Sequence, residues 1–369
     1  MTRPFLLLQL VLIFSCGQTT PLSNNDQPGG SLVQLGEMRE ARALHTATLL
    51  NDGRILIVGG GTPETALATA ELYDPVTRSS IVTPLSVGRL GHTATRLADG
   101  KVLIVGGGYG SSASSKSAQL FDPVTNRFTE TGATLFPRAD HAAVLLTDGR
   151  VLIVGGDPSG VGSSPLSATE LFDPATNSFV RAADLSIPRR PYGVVRLADG
   201  RVLVPGGSST ARSVVASAEL YDPATDSFVP TGSLGAAREK HTAALLPDGR
   251  ILIIGGSNER VSPNRLRSTE VYDSRTGQFS AGPAMQAGRH KVVSARLSNG
   301  DVLVIGGSDD LAELYRNDLE QFVRVNGTSG YERLFPAAVT LDDGRVLITG
   351  GYTAGGSQGT IWAFTKRPN

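Results

Sequence analysis

The chain has 369 residues, with 34 Lys and Arg balancing 34 Asp and Glu, so it lacks the basic excess that nucleic-acid binding requires. One cysteine, Cys16, excludes an intrachain disulfide and any paired-thiol metal site. The 44 glycines fall at fixed positions rather than in runs, which argues for order and against a low-complexity polymer.

Residues 1–15 read as a secretory signal. Arg3 precedes a ten-residue apolar run, Phe5 to Phe14, well short of the ~20 residues a membrane-spanning helix needs. Ile13-Phe14-Ser15-Cys16 resembles a bacterial lipobox, with Phe14 bulkier than the usual residue there. That resemblance implies a lipid on Cys16 and an exported protein anchored at the outer membrane or cell surface. Signal cleavage without lipidation would leave it periplasmic or secreted. Residues 16–30, polar and rich in Asn, Pro and Gly, form a flexible tether.

From residue 31 to 365 the chain repeats itself seven times. Gly-Gly pairs begin at Gly59, Gly106, Gly155, Gly206, Gly255, Gly306 and Gly350, at intervals of 47, 49, 51, 49, 51 and 44. An Arg stands 17 positions before each pair: Arg42, Arg89, Arg138, Arg189, Arg238, Arg289 and Arg333. Between them lies an Asp-Gly or Asn-Gly turn whose Gly is six positions before the pair. Such a period means one supersecondary unit copied in series. Each unit reads as four strands. In the third, HAAVLL (141–146) precedes Asp148-Gly149, expected to be a type I′ hairpin turn with positive φ at both central residues. RVLIVGG (150–156) is apolar on both faces and therefore sandwiched between layers. ATELFDP (168–174) and SFVRA (178–182) complete the unit, joined by a tight turn at Asp173-Pro174.

The last unit has room for a third strand, Gly359 to Phe364, but not for a fourth. At the other end SLVQLGEM (31–38) matches SFVPTGSL (227–234), the fourth strand before Arg238. The N-terminal segment is therefore expected to complete the last unit and close the ring. Residues 366–369 are a short tail.

The Gly-Gly pairs, the third-strand aromatics (Tyr73, Phe121, Phe172, Tyr221, Tyr272, Tyr315) and the Arg-x-x-His before the first strand resemble the kelch repeat over residues 31 to 364. Fourth strands carry Phe128, Phe179, Phe228, Phe279 and Phe322 where kelch units usually have Trp. The resemblance implies an all-β, seven-bladed β-propeller.

Two turns per unit, Asp-Gly and Asp-Pro, share one face and are uniform. The second-to-third loops share the other face with the Arg-led connections and vary in length, which marks the binding face. A residue present in every unit serves what every unit needs, so the seven Arg are read as structural, paired with Glu71, Glu170, Glu219, Glu270 and Glu313. His45, His92, His141 and His241 share one repeat position and are read as structural too. Departures from the pattern give the candidate binding residues: Arg190, Tyr192, Glu239, Lys240, His290, Lys291, Tyr331 and Glu332, with Tyr109 and Tyr352 just beyond Gly-Gly. These are expected to be surface loop positions.

The expected function is a non-catalytic module that binds a glycan or a protein through this face. It would be monomeric, with no cofactor, no metal, no nucleic-acid partner and membrane contact through the lipid alone. Galactose oxidase, a kelch propeller whose family uses copper with a Cys–Tyr cross-link, resembles the chain in its blades, but Cys16 lies in the signal region. No His-x-x-x-His, nucleophile elbow or phosphate loop is present. Periplasmic sialic-acid mutarotases resemble it in the blades as well, and supply the alternative: mutarotase or epimerase chemistry using Arg and Glu at the propeller mouth. A structural surface protein is the third reading.

Overall fold

The structure, a computed structural model, describes residues 29–367 apart from 63–64, 109–113, 160–163, 210–212, 260–263, 309–311 and 328–331. The signal, Cys16 and nearly all of the tether lie outside the described residues. Seven four-stranded antiparallel sheets make seven blades, with no helix among the described residues. The first blade runs Thr46–Leu49, Ile55–Val58, Thr69–Asp74 and Ser79–Pro84, adjacent in space as in sequence, and the next five repeat it.

The last blade closes the ring. Its strands are Ala337–Thr340, Val346–Thr349, Thr360–Lys366 and, as the fourth, the N-terminal Gly30–Glu37. Pairing runs from Gly30 opposite Lys366 to Glu37 opposite Thr360, with an irregularity between Gln34 and Gly36. The closing strand and its partner thus extend one residue beyond the 31–365 boundary at each end.

Second strands are buried over their whole length because each is covered by both neighbouring blades. Leu56 and Val58 pack against Val102 and Ile104 of the next blade. Ile55 and Ile57 meet Leu347 and Ile361 of the last, so the apolar layer is continuous around the ring. Each such residue contributes about 1.5–3 kcal/mol when fully buried, and no blade supplies both walls of its own core. Aromatic pairs such as Phe121–Phe128 and Tyr221–Phe228, 4.9 and 5.0 Å between centroids, brace the outer strands. The first blade departs from this: Ser80 stands opposite Tyr73, whose buried hydroxyl has no hydrogen-bond partner among the described residues.

The Asp-Gly turns are not type I′. Only the Gly has positive φ (Gly53 at 83°), while Gly53 N–H donates to the Leu50 carbonyl and Leu50 N–H to that of Arg54. This is a type I turn followed by a left-handed Gly. Asp52 stays at negative φ because its carboxylate there accepts the Arg54 N–H at 3.1 Å, an Asx turn that the mirror-image geometry would forgo.

The seven arginines are the clasps of the ring. Each is buried, and each donates from Nη1 to the carbonyl of the first Gly of its own pair, from Arg89–Gly106 at 2.6 Å to Arg333–Gly350 at 3.1 Å. Five also meet a third-strand carboxylate: Arg42–Glu71, Arg138–Glu170, Arg189–Glu219, Arg238–Glu270 and Arg289–Glu313. Arg89 has Gln119 instead, at 3.3 Å, and Arg333 has Thr360 at 2.8 Å. The main chain of the same arginine ties the neighbour. Its carbonyl accepts the N–H of the previous blade's second Gly, as in Gly60–Arg89 at 2.8 Å, and the series closes with Gly351–Arg42 at 2.9 Å. A Cβ on Gly106 would sit 2.3 Å from the Arg138 carbonyl oxygen, and Gly106 has φ of 61°. Gly-Gly is therefore required both for the left-handed turn and for this close approach.

Candidate functional site

On the propeller axis the Arg-led connections of all seven blades surround a cavity of about 240 Å³. Each blade contributes the residue two places after its Arg: Leu44, Gly91, Asp140, Pro191, Lys240, Lys291 and Phe335. Next in sequence come His45, His92, His141, Tyr192, His241, Val292 and Pro336. The opening lies on the face of the second-to-third loops, because in six blades the residue after the Arg pairs with the residue after Gly-Gly, as in Ala43–Gly61, Arg190–Ser208 and Glu239–Ser257.

The inner ring has an unusual backbone. Leu44, Gly91, Asp140, Lys240, Lys291 and Phe335 all have φ between 51° and 63°. In four of these six the left-handed turn aims the N–H at the carbonyl of the preceding blade's ring residue: Lys291 to Lys240 at 3.0 Å, Phe335 to Lys291 at 3.1 Å, Leu44 to Phe335 at 3.4 Å and Asp140 to Gly91 at 2.8 Å. Pro191 has no N–H and takes no such turn; the positive φ of that blade falls on Gly193, at 60°. A side chain in this conformation costs about 1–3 kcal/mol, and Gly91 shows that the ring accepts a residue free of that cost. Five blades nevertheless keep a side chain there. Those side chains line the cavity.

The second layer is structural, as expected of the histidines. His45 Nε2 meets Thr349 at 2.8 Å, His92 meets Thr46 at 3.1 Å and His141 meets Thr93 at 2.9 Å, each on the preceding blade. In the fourth blade Gly193 holds the place of Thr46, and the facing His241 packs against the Tyr192 ring, 6.3 Å between centroids. Burial, and then the neighbouring Arg42, Arg89 or Arg238, lowers the pKa of His45, His92 and His241 to about 3, so these imidazoles are neutral at pH 7.

The ring is chemically lopsided. Lys240 pairs with Glu239 at 3.3 Å. Lys291 makes no ion pair among the described residues; its ammonium lies over the Phe335 ring, 5.0 Å from the centroid. Burial, and then Lys240, lowers the Lys291 pKa below the ordinary lysine value. Asp140, exposed, comes from the third blade, on another part of the ring.

Of the residues singled out in the sequence, Tyr192, Lys240 and Lys291 line the cavity. Arg190, Glu239 and His290 do not, and at 2, 1 and 3% exposure they are not surface loop positions. Arg190 and Glu239 are in extended pairing with the neighbouring loop, which turns their side chains into the protein, and Arg190 is held there by Asp157, while the His290 N–H bonds the Gly307 carbonyl at 3.3 Å. Glu332 is half-buried and pairs with Arg265, while Tyr352 opens a short hairpin with Gly356–Ser357. Tyr109 and Tyr331 lie outside the described residues. Arg190 and Glu239, the groups an epimerase reading would use, are committed to Asp157 and Lys240 and absent from the cavity wall.

Sequence reasoning missed Leu44, Gly91, Asp140, Pro191 and Phe335. The signal was available as contrast: this column changes chemical class from blade to blade, between an invariant Arg and a mostly constant His. A second cavity, about 440 Å³, is lined by the frame pair Arg289–Glu313 together with Arg324 and Asn326.

A model of the kelch motif matches residues 240–286, which fall within the fifth repeat. A search of curated proteins found no match. Among solved structures the chain is similar to a novel fungal alcohol oxidase with catalytic diversity among the AA5 family, in complex with copper. The two share 18% identity over 91% of this chain and 76% of that one, with a TM-score of 0.72. At that identity the likeness shows the fold alone. Copper does not fit the residues present: among those described, no three His, Cys, Asp or Glu side chains converge in a way that would hold a metal ion.

Proposed function

We propose that this seven-bladed propeller is a binding module of the cell envelope, without catalysis of its own, which takes a glycan or protein ligand at the axial cavity and the loops around it. The observation that carries the reading is the ring itself. In a frame that repeats its ties from blade to blade, the inner of the two positions that line the cavity holds Leu, Gly, Asp, Pro, Lys, Lys and Phe, mostly in a backbone conformation that side chains disfavour. Side chains kept where glycine would make the same turn without strain point to function. Export through the 1–15 signal and lipidation of Cys16 place such a module where envelope ligands occur.

A glycan array and a pull-down from the native envelope supply the ligand. Tyr192→Ala and Lys291→Ala are expected to weaken its capture with the melting midpoint unchanged. Capture that survives both changes but is lost on substitution in the Asp-Gly turns would put the site on the opposite face. Mass spectrometry of the mature N-terminus tests the anchor: an unmodified Cys16 retires it.

A further inference from the structure

We propose that the axial cavity recognises a sugar acid, a single ring carrying a carboxylate and free hydroxyls, with Lys240 and Lys291 taking the carboxylate. This deepens the binding reading above and rests on it.

Lys240 and Lys291 stand on neighbouring blades, joined by the 3.0 Å backbone hydrogen bond from Lys291 to Lys240. Glu239 pairs with the first ammonium, while the second makes no ion pair among the described residues and lies over the Phe335 ring, with Glu332 and Glu239 acting on it only from a distance. Lys240 and Lys291 are like charges in one half-buried wall, and burial, then Lys240, lowers the Lys291 pKa. An anion seated beside both offsets that repulsion and gives Lys291 the ion pair it lacks among the described residues. Both lysines keep left-handed backbones, φ of 53° and 55°, where glycine would be unstrained.

The rest of the wall suits a sugar body. Asp140 is exposed, and a carboxylate there accepts hydrogen bonds from hydroxyls. Tyr192 and Phe335, flanked by Pro191 and Pro336, offer flat apolar surfaces to the C–H face of a ring. The volume, about 240 Å³, lies below the ~300–1,000 Å³ of sites for drug-sized ligands, which fits one sugar unit. An extended acidic peptide needs a groove or a free strand edge, whereas this cavity is ringed by all seven blades and admits only a terminal group.

The test is calorimetric titration of the full chain with methyl glucuronide and methyl galacturonide. The neutral methyl glucoside and methyl galactoside, and N-acetylglutamate as an acid without a sugar ring, are the comparisons. Saturable binding of at least one uronide is expected, with its neutral counterpart and N-acetylglutamate weaker by about tenfold or more. Lys291→Met should remove that advantage while the melting midpoint stays in place, and Lys240→Met, which also breaks the pair with buried Glu239 and lowers the midpoint, should remove it in the folded protein. Equal binding of neutral and acidic sugars, N-acetylglutamate binding as well as the uronides, no uronide binding at millimolar concentration, or unchanged uronide affinity in both folded variants would each overturn the proposal. Its failure is separable from that of the binding reading. A neutral ligand from the array that is lost on Tyr192→Ala sinks the sugar acid and keeps the module, whereas no ligand sensitive to Tyr192→Ala sinks both.

Discussion

Two positions two residues apart behave in opposite ways. Arg238 and its six counterparts are buried, bonded alike, and set in a frame that a Cβ on the facing glycines would break. Lys240 and its counterparts differ in size, charge and polarity and share their place on the axis and, in six blades, a left-handed backbone. Repetition in a propeller therefore marks what joins blades, and variation inside a repeated frame marks what the ring offers a ligand. The arginines look like an anion-binding ring in the sequence, yet their charge is spent on glutamates and glycine carbonyls.

The largest expected effect comes from opening the frame altogether. Deleting residues 30–37 removes Leu32 and Leu35 from their apolar clusters and leaves Thr360–Lys366 as an unpaired edge. Loss of a cooperative transition, or association through that edge in analytical ultracentrifugation, is expected; a monomer with an unchanged melting midpoint would contradict the closure.

Next come single clasps. Arg138→Met strands the buried Glu170 carboxylate and should lower stability by about 3–5 kcal/mol in denaturant unfolding. Arg89→Met leaves only the neutral Gln119 and should cost clearly less. Equal losses would mean that the carboxylates contribute nothing beyond the glycine carbonyl bonds.

Acid should act on the same frame. His45, His92 and His241 have folded pKa values near 3 against an unfolded value near 6.5. Between those limits the unfolded chain binds more protons, so stability falls as pH drops from about 6.5 toward 3 and is constant, for these groups, above 6.5. His92→Gln should flatten part of that slope in melting curves recorded across this range.

The smallest stability effects belong to the mouth. Tyr192→Ala and Lys291→Ala are expected to move unfolding by less than about 0.5 kcal/mol while weakening ligand capture by about 1–2 kcal/mol each; Lys240→Ala also breaks the pair with buried Glu239 and should cost more stability. Arg190→Ala breaks a buried pair with Asp157 and belongs with the clasps instead, which the melting midpoint will show.

Much of this frame was legible because its physics repeats. Seven Arg–Gly-Gly spacings in phase required seven blades, and SLVQLGEM matched a fourth strand closely enough to place the closure. The hairpin turns were misread because Asp-Gly fits two turn geometries, and the choice was made by the Asp52 carboxylate reaching the Arg54 N–H, a contact the dipeptide does not reveal. The mouth was half legible. Lys240 and Lys291 stood out as departures, but Leu44 and Phe335 look like ordinary apolar residues, and nothing in their chemistry announces a left-handed backbone. Arg190 and Glu239 stood out as well, yet extended pairing with the loop beyond Gly-Gly turns alternate side chains to opposite sides, and theirs point inward.

The most direct test of the account follows both columns in one experiment. Methionine is placed singly at Arg138, Arg238 and Arg289, and at Lys291 and Phe335, and each protein is measured for melting midpoint and for capture of the array ligand. The account predicts a crossed result: the arginine variants lose stability and, while folded, still bind, whereas the ring variants melt with the parent and lose the ligand. Ring variants that melt early with capture intact would contradict it, and would make the varied column one more part of the frame.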